Sequence, residues 1–337
     1  MARITVIGTG LIGTSLGLAL MQSKLKDLEV VGTDSDHSAR NGAKRRNAFH
    51  RVEDRLKNAI EGADIVVLAM PVMAMEEMLK LLGPELPAGC VVTDVGSTKK
   101  SVLEWADQYL PDRVQFVGGH PMAGKEESGP EAADAYLFQD RTYAVVPSVK
   151  AGQRAVSEIT TMIEQIGAKP YYIGVAEHDS FVAAASHLPF LLSVALVGCT
   201  AKSANWDDIA QLAATGYRDI TRLASGDTVM HRDICLSNRQ PIVAWIDSFI
   251  RELYEYRKLL DPAGDADPQA VGDIFERAAE ARARWMAGQF GPEAHQLNAN
   301  RELPTFAESM GEMFAGRRII EAQKRMLRGR RGDRDKK

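Results

Sequence analysis

Cysteine is scarce in this sequence, and cationic residues are not in excess. The 337 residues include three cysteines, Cys90, Cys199 and Cys235, which are widely spaced and form no Cys-x-x-Cys pair. We therefore expect neither a disulfide framework nor a metal site, and a reducing compartment such as the cytoplasm fits. Lys and Arg number 41 against 45 Asp and Glu, a formal net charge of −4. No general positive field exists, so no nucleic-acid partner is expected.

Long apolar runs are also rare, and neither of the two candidates reads as a membrane segment. Glycines interrupt the apolar stretch within residues 1–21, and no Ala-x-Ala cleavage pattern follows it. Residues 181–201 are long enough to span a bilayer, but they include His187 and Pro189 and lack flanking Trp or Tyr anchors and a Lys/Arg bias. We interpret them as a buried helix of a water-soluble core and expect no membrane partner.

The composition is that of a globular protein, with 45% hydrophobic and 26% charged residues, and the length favours two domains. In the first half, short continuous apolar runs alternate with helical patterns, which predicts a parallel sheet covered on both faces. The predicted strands are 3–7, 29–33, 64–69, 90–94, 114–117 and 143–146; the predicted helices between them are 11–24, 38–47, 73–82 and 98–110. After residue 174 helical periodicity dominates, over 176–201, 207–214, 228–260 and 267–288.

A glycine motif lies between the first predicted strand and the first predicted helix. Residues 8–13 read Gly-Thr-Gly-Leu-Ile-Gly, a Gly-x-Gly-x-x-Gly in the context that dinucleotide binding requires. Gly8 permits a tight turn, Gly10 lets the backbone approach a pyrophosphate, and Gly13 lets the helix pack close to the strand. The helix N-terminus, at Leu11 and Ile12, would present N–H groups to the phosphates.

The choice of dinucleotide depends on Asp34, which ends the second predicted strand about 20 residues after the motif. A carboxylate there accepts hydrogen bonds from the adenine ribose and repels a 2′-phosphate, which favours NAD over NADP. Arg40 and Lys44 nearby keep NADP open as the alternative. Met70 and Pro71, at the end of another predicted strand, are expected to border the same cofactor.

The predicted chemical group is His120, in Gly-Gly-His-Pro-Met-Ala-Gly at 118–124. The preceding predicted strand delivers it to the edge of the sheet where a nicotinamide would lie, and the flanking glycines let a substrate approach. Histidine is the natural acid or base near neutral pH. The Asp-Val-Gly-Ser segment ending at Ser97 is expected at the same crevice.

Five motifs together resemble the prephenate/arogenate (cyclohexadienyl) dehydrogenases of tyrosine biosynthesis. They are Gly-x-Gly-x-x-Gly at 8–13, Asp-Val-Gly-Ser at 94–97, Gly-His-Pro-Met-Ala-Gly at 119–124, Ser-His-Leu-Pro at 186–189 and Gly-Tyr-Arg-Asp-Ile-Thr-Arg at 216–222. The resemblance implies an α/β fold, with an N-terminal Rossmann-like parallel-sheet domain over residues 1–173 followed by an all-helical substrate and dimerisation domain over 174–326. Residues 327–337 are expected to be a basic, disordered tail.

The implied reaction is oxidative decarboxylation of prephenate to 4-hydroxyphenylpyruvate, with hydride transfer to NAD, or of arogenate to tyrosine. By resemblance, His120 takes or polarises the proton of the ring hydroxyl, while Ser97 bonds the same hydroxyl and holds the imidazole. Arg222 matches the arginine that binds a substrate carboxylate, a role suited to a guanidinium fork. Arg218, one helical turn earlier, is the second candidate, with a structural ion pair as its alternative role. Asp179 corresponds to an acid that supports the cleft.

Three further residues are expected near the substrate. His187 lies in the apolar helix, where a packing role competes with a role in the cleft. Many relatives active on prephenate have a histidine at the position of Phe190, so this departure leaves arogenate open, and His231 could replace the lost polarity. Glu126 borders the entrance, where it could meet arogenate's ammonium group, gate access, or simply be solvated.

Two other functions compete with this one. A β-hydroxyacid or imine reductase shares the two-domain arrangement but would use a lysine or serine of the helical domain. A non-catalytic NAD-binding regulator would keep the glycine motif and need neither His120 nor Arg222. No strand–helix alternation of a small regulatory domain follows residue 286, so any tyrosine inhibition is expected at the active site.

Overall fold

The computed structural model describes residues 2–289 of the 337. Predictions for residues 290–337, including the basic tail, lie outside the described residues. The chain divides into two compact units between Phe249 and Ile250. The first unit contains a sheet of eight strands: β1 (Ala2–Ile7), β2 (Leu28–Thr33), β3 (Arg51–Glu53), β4 (Ile65–Leu68), β5 (Val91–Asp94), β6 (Gln115–Pro121), β7 (Thr142–Pro147) and β8 (Lys169–Tyr172).

Helices alternate with the strands and then continue without them. Within the sheet region they are α1 (Leu11–Met21), α2 (His37–Arg45), α3 (Leu56–Ile60), α4 (Met75–Leu82), α5 (Lys100–Tyr109) and α6 (Gln153–Gln165). After the last strand they are α7 (Val175–Val182), α8 (Leu188–Thr200), α9 (Trp206–Leu212), α10 (Thr215–Thr221), α11 (Thr228–Ser237), α12 (Arg239–Leu259) and α13 (Pro268–Met286). The described part of the second unit contains the end of α12, the whole of α13 and the loop between them.

The strand order is β3-β2-β1-β4-β5-β6-β7-β8, and the six strands from β3 to β6 pair in parallel. Alternate residues enter opposite apolar layers: Val6 and Val67 face one cluster, whereas Val66 and Leu68 face the other. The prediction of a parallel sheet covered on both faces is therefore confirmed for this part.

The far end of the sheet departs from the prediction. β7 runs antiparallel to β6, and β8 then runs parallel to β7. The connection from β6 to β7 contains a short 3-10 turn, Pro130–Ala132, but no crossover helix, so the chain returns in the opposite direction. α6 supplies the crossover from β7 to β8, and its buried positions, such as Ala155, Ile159 and Ile163, carry a helical spacing that would have predicted it.

The apolar segment of residues 181–201 is not one buried helix. α7 and α8 flank a π-helical turn, Ala183–His187, and Pro189 lies at the start of α8, where its missing N–H cannot continue the earlier hydrogen-bond ladder. Val175–Thr200 is long and apolar enough to cross a membrane. Only 28% of its most apolar window is buried within the chain, whereas a buried helix was expected. The prediction of burial is wrong for the single chain, because α8 turns Phe190 inward and leaves Val194 47% exposed.

Candidate active site

The site lies at the edge of the sheet where the parallel strands end. The strand order reverses direction between β1 and β4, which places a crevice beyond their carboxyl ends. Gly8, Asp34, Met70 and Ser97 follow the ends of β1, β2, β4 and β5, and His120 is the penultimate residue of β6. The topology therefore brings the predicted cofactor and chemical groups to one edge.

The glycine loop is shaped by close backbone contacts and by open space. Gly8 has φ of +102°, and a Cβ there would lie 2.1 Å from the carbonyl oxygen of Ala69. A Cβ at Gly13 would lie 1.9 Å from the carbonyl oxygen of Gly8, so a side chain would force α1 away from β1. A Cβ at Gly10 would meet nothing within 4 Å. The loop is thus tightly packed against backbone at Gly8 and Gly13, and it has open space next to Gly10.

The start of α1 is free to receive an anion. No side chain caps this end, and the first turn carries no acidic residue. Its unpaired N–H groups and the positive end of the helix dipole therefore face the crevice, as a pyrophosphate requires. Leu11 and Ile12 are half-buried here, as is Met70 across the crevice, while Pro71 is exposed.

Asp34 is held in place by the loop. Its Oδ2 accepts the N–H of Thr9 at 2.6 Å, and its Oδ1 accepts the N–H of Asp36 at 2.9 Å. Arg40 pairs with Asp54 at 3.1 Å and donates to the backbone carbonyl of Asp34. Lys44 also lies toward Asp54, at 3.9 Å. Arg40 and Lys44, the two cations that left NADP as an alternative cofactor, are therefore already engaged by protein groups.

His120 is hydrogen-bonded to a second histidine. Its Nδ1 lies 3.0 Å from Nε2 of His178 in α7, and the two rings meet edge to face. Nδ1 of His178 lies 2.8 Å from Oδ1 of Asp179. Burial lowers the pKa of His120 well below its ordinary value, and the neighbouring His178 and Lys99 add to this effect. The imidazole is therefore neutral at pH 7.

Asp179 ends the series of hydrogen-bonded side chains His120, His178 and Asp179, and backbone hydrogen bonds hold it in place. Its two carboxylate oxygens accept the N–H groups of Lys99 at 2.8 Å and of Lys100 at 2.9 Å, where α5 begins. The side chain is buried, which raises its pKa, but the hydrogen bond from His178 and those two N–H groups outweigh burial. The net pKa lies below the ordinary value, so the carboxylate is ionised.

An ion pair beneath His120 holds its strand. Lys99 and Asp94 are both fully buried and pair with each other. Nζ of Lys99 donates to the carbonyl of Gly119 at 2.7 Å, while Oδ1 of Asp94 accepts the N–H of Gly119 at 3.1 Å. The pair thus clamps the backbone of the residue preceding His120, and breaking such a buried pair costs about 3–5 kcal/mol.

Ser97 does not hold the imidazole as the resemblance implied. It is half-buried beyond β5, and the hydrogen bond to the ring of His120 comes from His178 instead. The reason lies in α7, whose first turn places His178 directly against the end of β6. Ser97 remains at the crevice edge, where a substrate hydroxyl could reach it.

His187 is fully buried at the end of the π turn. The amide nitrogen of Asn238 lies 3.1 Å from its Nδ1 and 2.8 Å from the backbone carbonyl of Asp179. Because that carbonyl can only accept, the nitrogen assignment is fixed and Asn238 donates to both atoms. His187 therefore carries its proton on Nε2, which has no hydrogen-bond partner in the described residues. Burial lowers the pKa of His187 to about 4.

Phe190 and His231 lie against each other. Their rings stack at a centroid distance of 4.2 Å with an interplanar angle of 8°. Phe190 also belongs to a small apolar cluster with Ala183, Ile234 and Ile242. Burial lowers the pKa of His231, opposed by the charge of Asp227. Phe190 stands where many relatives active on prephenate have a histidine, and the structure brings it into direct contact with His231, the residue suggested to replace the lost polarity.

Arg222 and Glu126 form an ion pair, although the sequence assigned each of them separately to the substrate. Arg222 begins the 3-10 turn after α10, and Glu126 lies in the loop after β6. Both side chains are more than half exposed, at 56% and 72%. Arg218 is exposed on α10, and among the described residues its side chain has no ion-pair partner.

Sequence reasoning missed three residues of this site. His178 immediately precedes Asp179, so the adjacent pair was a usable signal. Lys99 follows the Asp-Val-Gly-Ser segment by two positions, but nothing in the sequence indicated that a lysine there would be fully buried. Asn238 lies between α11 and α12, inside a single predicted helix, and the break there was not visible.

The comparisons with known proteins agree with one another. Residues 16–172 match the family described as prephenate dehydrogenase, nucleotide-binding domain, and residues 175–276 match prephenate dehydrogenase, dimerization domain. Prephenate dehydrogenase of Bacillus subtilis strain 168 is 35% identical over 281 residues, which cover 83% of this chain and 75% of that protein.

Solved structures show the same fold. Prephenate dehydrogenase from A. aeolicus, in complex with hydroxyphenyl propionate and NAD+, is 26% identical with a TM-score of 0.76, covering 85% of this chain and 98% of that one. Synechocystis arogenate dehydrogenase is 26% identical with a TM-score of 0.72, covering 84% and 99%. A parallel-sheet domain with the site at its edge, a helical region and these matches together place the chain in the prephenate dehydrogenase family.

Proposed function

We propose that the chain catalyses the NAD-dependent oxidative decarboxylation of prephenate to 4-hydroxyphenylpyruvate, a step of tyrosine biosynthesis. The observation that carries this is the neutral imidazole of His120, held by His178 at the sheet edge that also presents the glycine loop. A base at that position can accept a hydroxyl proton beside a nicotinamide. Family membership favours this activity over a hydroxyacid or imine reductase.

The cofactor site fits NAD. The open space above Gly10 and the uncapped start of α1 suit the pyrophosphate, and the carboxylate of Asp34 suits ribose hydroxyls. Leu11, Ile12, Gly13, Met70 and Pro71 would border the dinucleotide. When bound, NAD supplies the acceptor for the hydride that leaves the ring carbon bearing the hydroxyl.

The protein groups have separate tasks. His120 accepts the hydroxyl proton, and Ser97 hydrogen-bonds the same oxygen. His187 offers the free donor at Nε2 to a substrate oxygen, since a buried N–H without a partner is costly until an acceptor arrives. Arg222 binds a substrate carboxylate, with Arg218 as the second candidate.

Glu126 and His231 bear on the choice between substrates. Prephenate carries a keto acid where arogenate carries an amino acid, so an acidic residue near that group favours the ammonium of arogenate. Glu126 is already neutralised by Arg222, which removes much of that preference. His231, stacked on Phe190, is the other polar group proposed for this choice.

A direct assay tests the activity. Incubation with NAD and prephenate should produce NADH absorbance and 4-hydroxyphenylpyruvate. The same assay with arogenate, and with NADP in place of NAD, gives the preference for each. Absence of NADH with either substrate would refute the proposed function, and faster turnover of arogenate would reassign the substrate.

Replacing Asp34 with serine should raise the KM for NAD by roughly 10–100-fold and increase relative use of NADP, because hydrogen bonds to a charged group contribute about 1.5–3 kcal/mol. The matched control is Asp36→Ser. Asp36 caps α2 through the N–H of Ser38, and serine caps comparably, so this variant should keep the wild-type ratio. A wild-type enzyme that prefers NADP would contradict the charge argument.

We also propose that the chain is a cytoplasmic homodimer formed by the described helices that follow residue 174. α8 and α12 leave large apolar side chains exposed, including Val194 at 47% and Val243 at 54%. Exposure of this apolar surface to water is unfavourable, and a second copy of the chain would cover it. The family match over residues 175–276 to a dimerization domain supports the same surface.

Sedimentation should therefore give twice the chain mass of 36.9 kDa at micromolar concentration. Val194→Asp should shift the protein toward monomer, because it places a charge in the interface. Val149→Asp is the control, since Val149 is 99% exposed in the loop after β7 and should leave the dimer intact. A wild-type species of 36.9 kDa would contradict the proposal.

A further inference from the structure

We infer that His178 and Asp179 determine which nitrogen of His120 carries the proton, so that Nε2 of His120 presents a lone pair. His178 is thus a positioning residue that acts through His120. The inference rests on the proposed function only for its catalytic consequence, because the position of a proton can be measured without substrate.

The assignment starts at Asp179. An ionised carboxylate can only accept, and its oxygens already accept the N–H groups of Lys99 and Lys100. Nδ1 of His178, 2.8 Å from Oδ1, must therefore be the donor. Because these contacts join the start of α5 to α7, the carboxylate is fixed by backbone rather than by mobile side chains.

The second step passes to His120. With its proton on Nδ1, a neutral His178 has a lone pair on Nε2, which lies 3.0 Å from Nδ1 of His120. Nδ1 of His120 therefore donates, and its Nε2 is left without a proton. The opposite assignment would need a proton on both ring nitrogens of His178, whose side chain is 1% exposed, and the measurement described below separates the two assignments.

The groups around the pair agree with this direction. The cation of Lys99 lies beneath His120 and is already paired with Asp94, while His187 is neutral and directs its lone pair at Asn238. Protonation of His120 in the resting enzyme would place a second cation near Lys99. The resting ring is thus held neutral, with Nε2 as its free acceptor.

The consequence is a base prepared in advance. Nε2 can take the hydroxyl proton without prior rearrangement, and the resulting imidazolium keeps its Nδ1–H bond to His178, backed by the charge of Asp179. In a serine protease triad, losing this control over the tautomer lowers kcat by about 10⁴-fold. Here the orienting group is a histidine placed between the base and the carboxylate.

The direct test is ¹⁵N NMR of histidine-labelled protein without substrate, in which protonated and unprotonated imidazole nitrogens give separate resonances. The chain has seven histidines, and loss of one set of signals in His120→Asn assigns that residue. We expect wild-type His120 to carry its proton on Nδ1. A proton on Nε2 in the wild type would overturn the inference, and this measurement needs no folded variant of His178.

Two variants then test the cause. His178→Leu removes the acceptor, so His120 should no longer hold its proton on Nδ1, and kcat should fall on the order of 10²-fold or more while the Kd for NAD stays unchanged. His178→Gln places an amide oxygen where Nε2 lies, and it should keep the wild-type tautomer and activity within about tenfold.

His50→Leu is the matched control, because His50 is exposed and bonds only backbone groups of Val30 within the sheet. It should leave tautomer and kcat unchanged. If His178→Leu loses activity with an unchanged tautomer, His178 only packs and the inference is wrong. If the tautomers behave as expected but prephenate is not turned over, the inference stands and the proposed function fails.

Discussion

Replacing His120 with asparagine should lower kcat by about 10²–10⁴-fold, the range for loss of a general base. The variant should fold, because Asn keeps a donor and an acceptor near Nδ1 and the clamp formed by Lys99 and Asp94 holds the backbone at Gly119. Steady-state kinetics with prephenate and a separate titration with NAD would measure both parts. Turnover close to that of the wild type would remove His120 from the mechanism.

The pH profile gives an independent check on the same residue. A base must be neutral to act, and burial places the pKa of His120 well below its ordinary value of 6.5. The acid limb of kcat/KM in the wild type should therefore lie below pH 6.5, with no further gain as the pH rises through 7. The limb should change in His120→Asn, whose residual activity no longer depends on that proton.

Replacing Arg222 with alanine should mostly raise the KM for prephenate and leave the Kd for NAD unchanged, because binding that is equal in ground and transition states does not alter kcat. Truncating a charge pair costs about 2–5 kcal/mol in kcat/KM. The lower end applies here, since the side chain is 56% exposed and water screens it. Arg222→Lys should recover only part of the kcat/KM that Arg222→Ala loses, because an ammonium group cannot form the planar fork of a guanidinium.

The pair with Glu126 sharpens this test. A substrate carboxylate must compete with Glu126 for the guanidinium, so Glu126→Gln should lower the KM for prephenate in the wild type and have little effect in Arg222→Ala. Arg154→Ala is the control: Arg154 forms a similar exposed pair with Glu158 on α6 and lies near Gly89, before the start of β5. An unchanged KM in Arg222→Ala would transfer the role to Arg218 or His231.

The residues that lie at the carboxyl ends of the parallel strands could be predicted from the sequence, because the signals for them are local. The glycine motif, the acidic residue after β2 and the histidine near the end of β6 each sit directly at a strand end. β3 and β8 were missed because they are short edge strands; β8 is largely exposed, and neither carries an apolar run. Their existence depends on a neighbouring strand rather than on their own pattern.

The contacts inside the site could not be predicted, because packing decides them. His120 meets His178 only where α7 lies against the end of β6, and the pairing of Arg222 with Glu126 joins a helical turn to a distant loop. No spacing rule relates such residues. The tautomer of His187 likewise follows from an amide between α11 and α12, which the predicted single helix concealed.

The π turn at Ala183–His187 makes the site dependent on a count of residues as well as on their identity. A π turn holds one residue more than an α-helical turn, and such insertions occur often at functional sites. Deleting one alanine from it would restore regular α-helical winding, and the helical faces on either side would keep their alignment, so the change falls on the residues of the turn itself. The direction in which the turn presents His187 to Asn238 would then change, although every side chain discussed above would still be present. Point substitutions cannot reveal this dependence, whereas a single-residue deletion can.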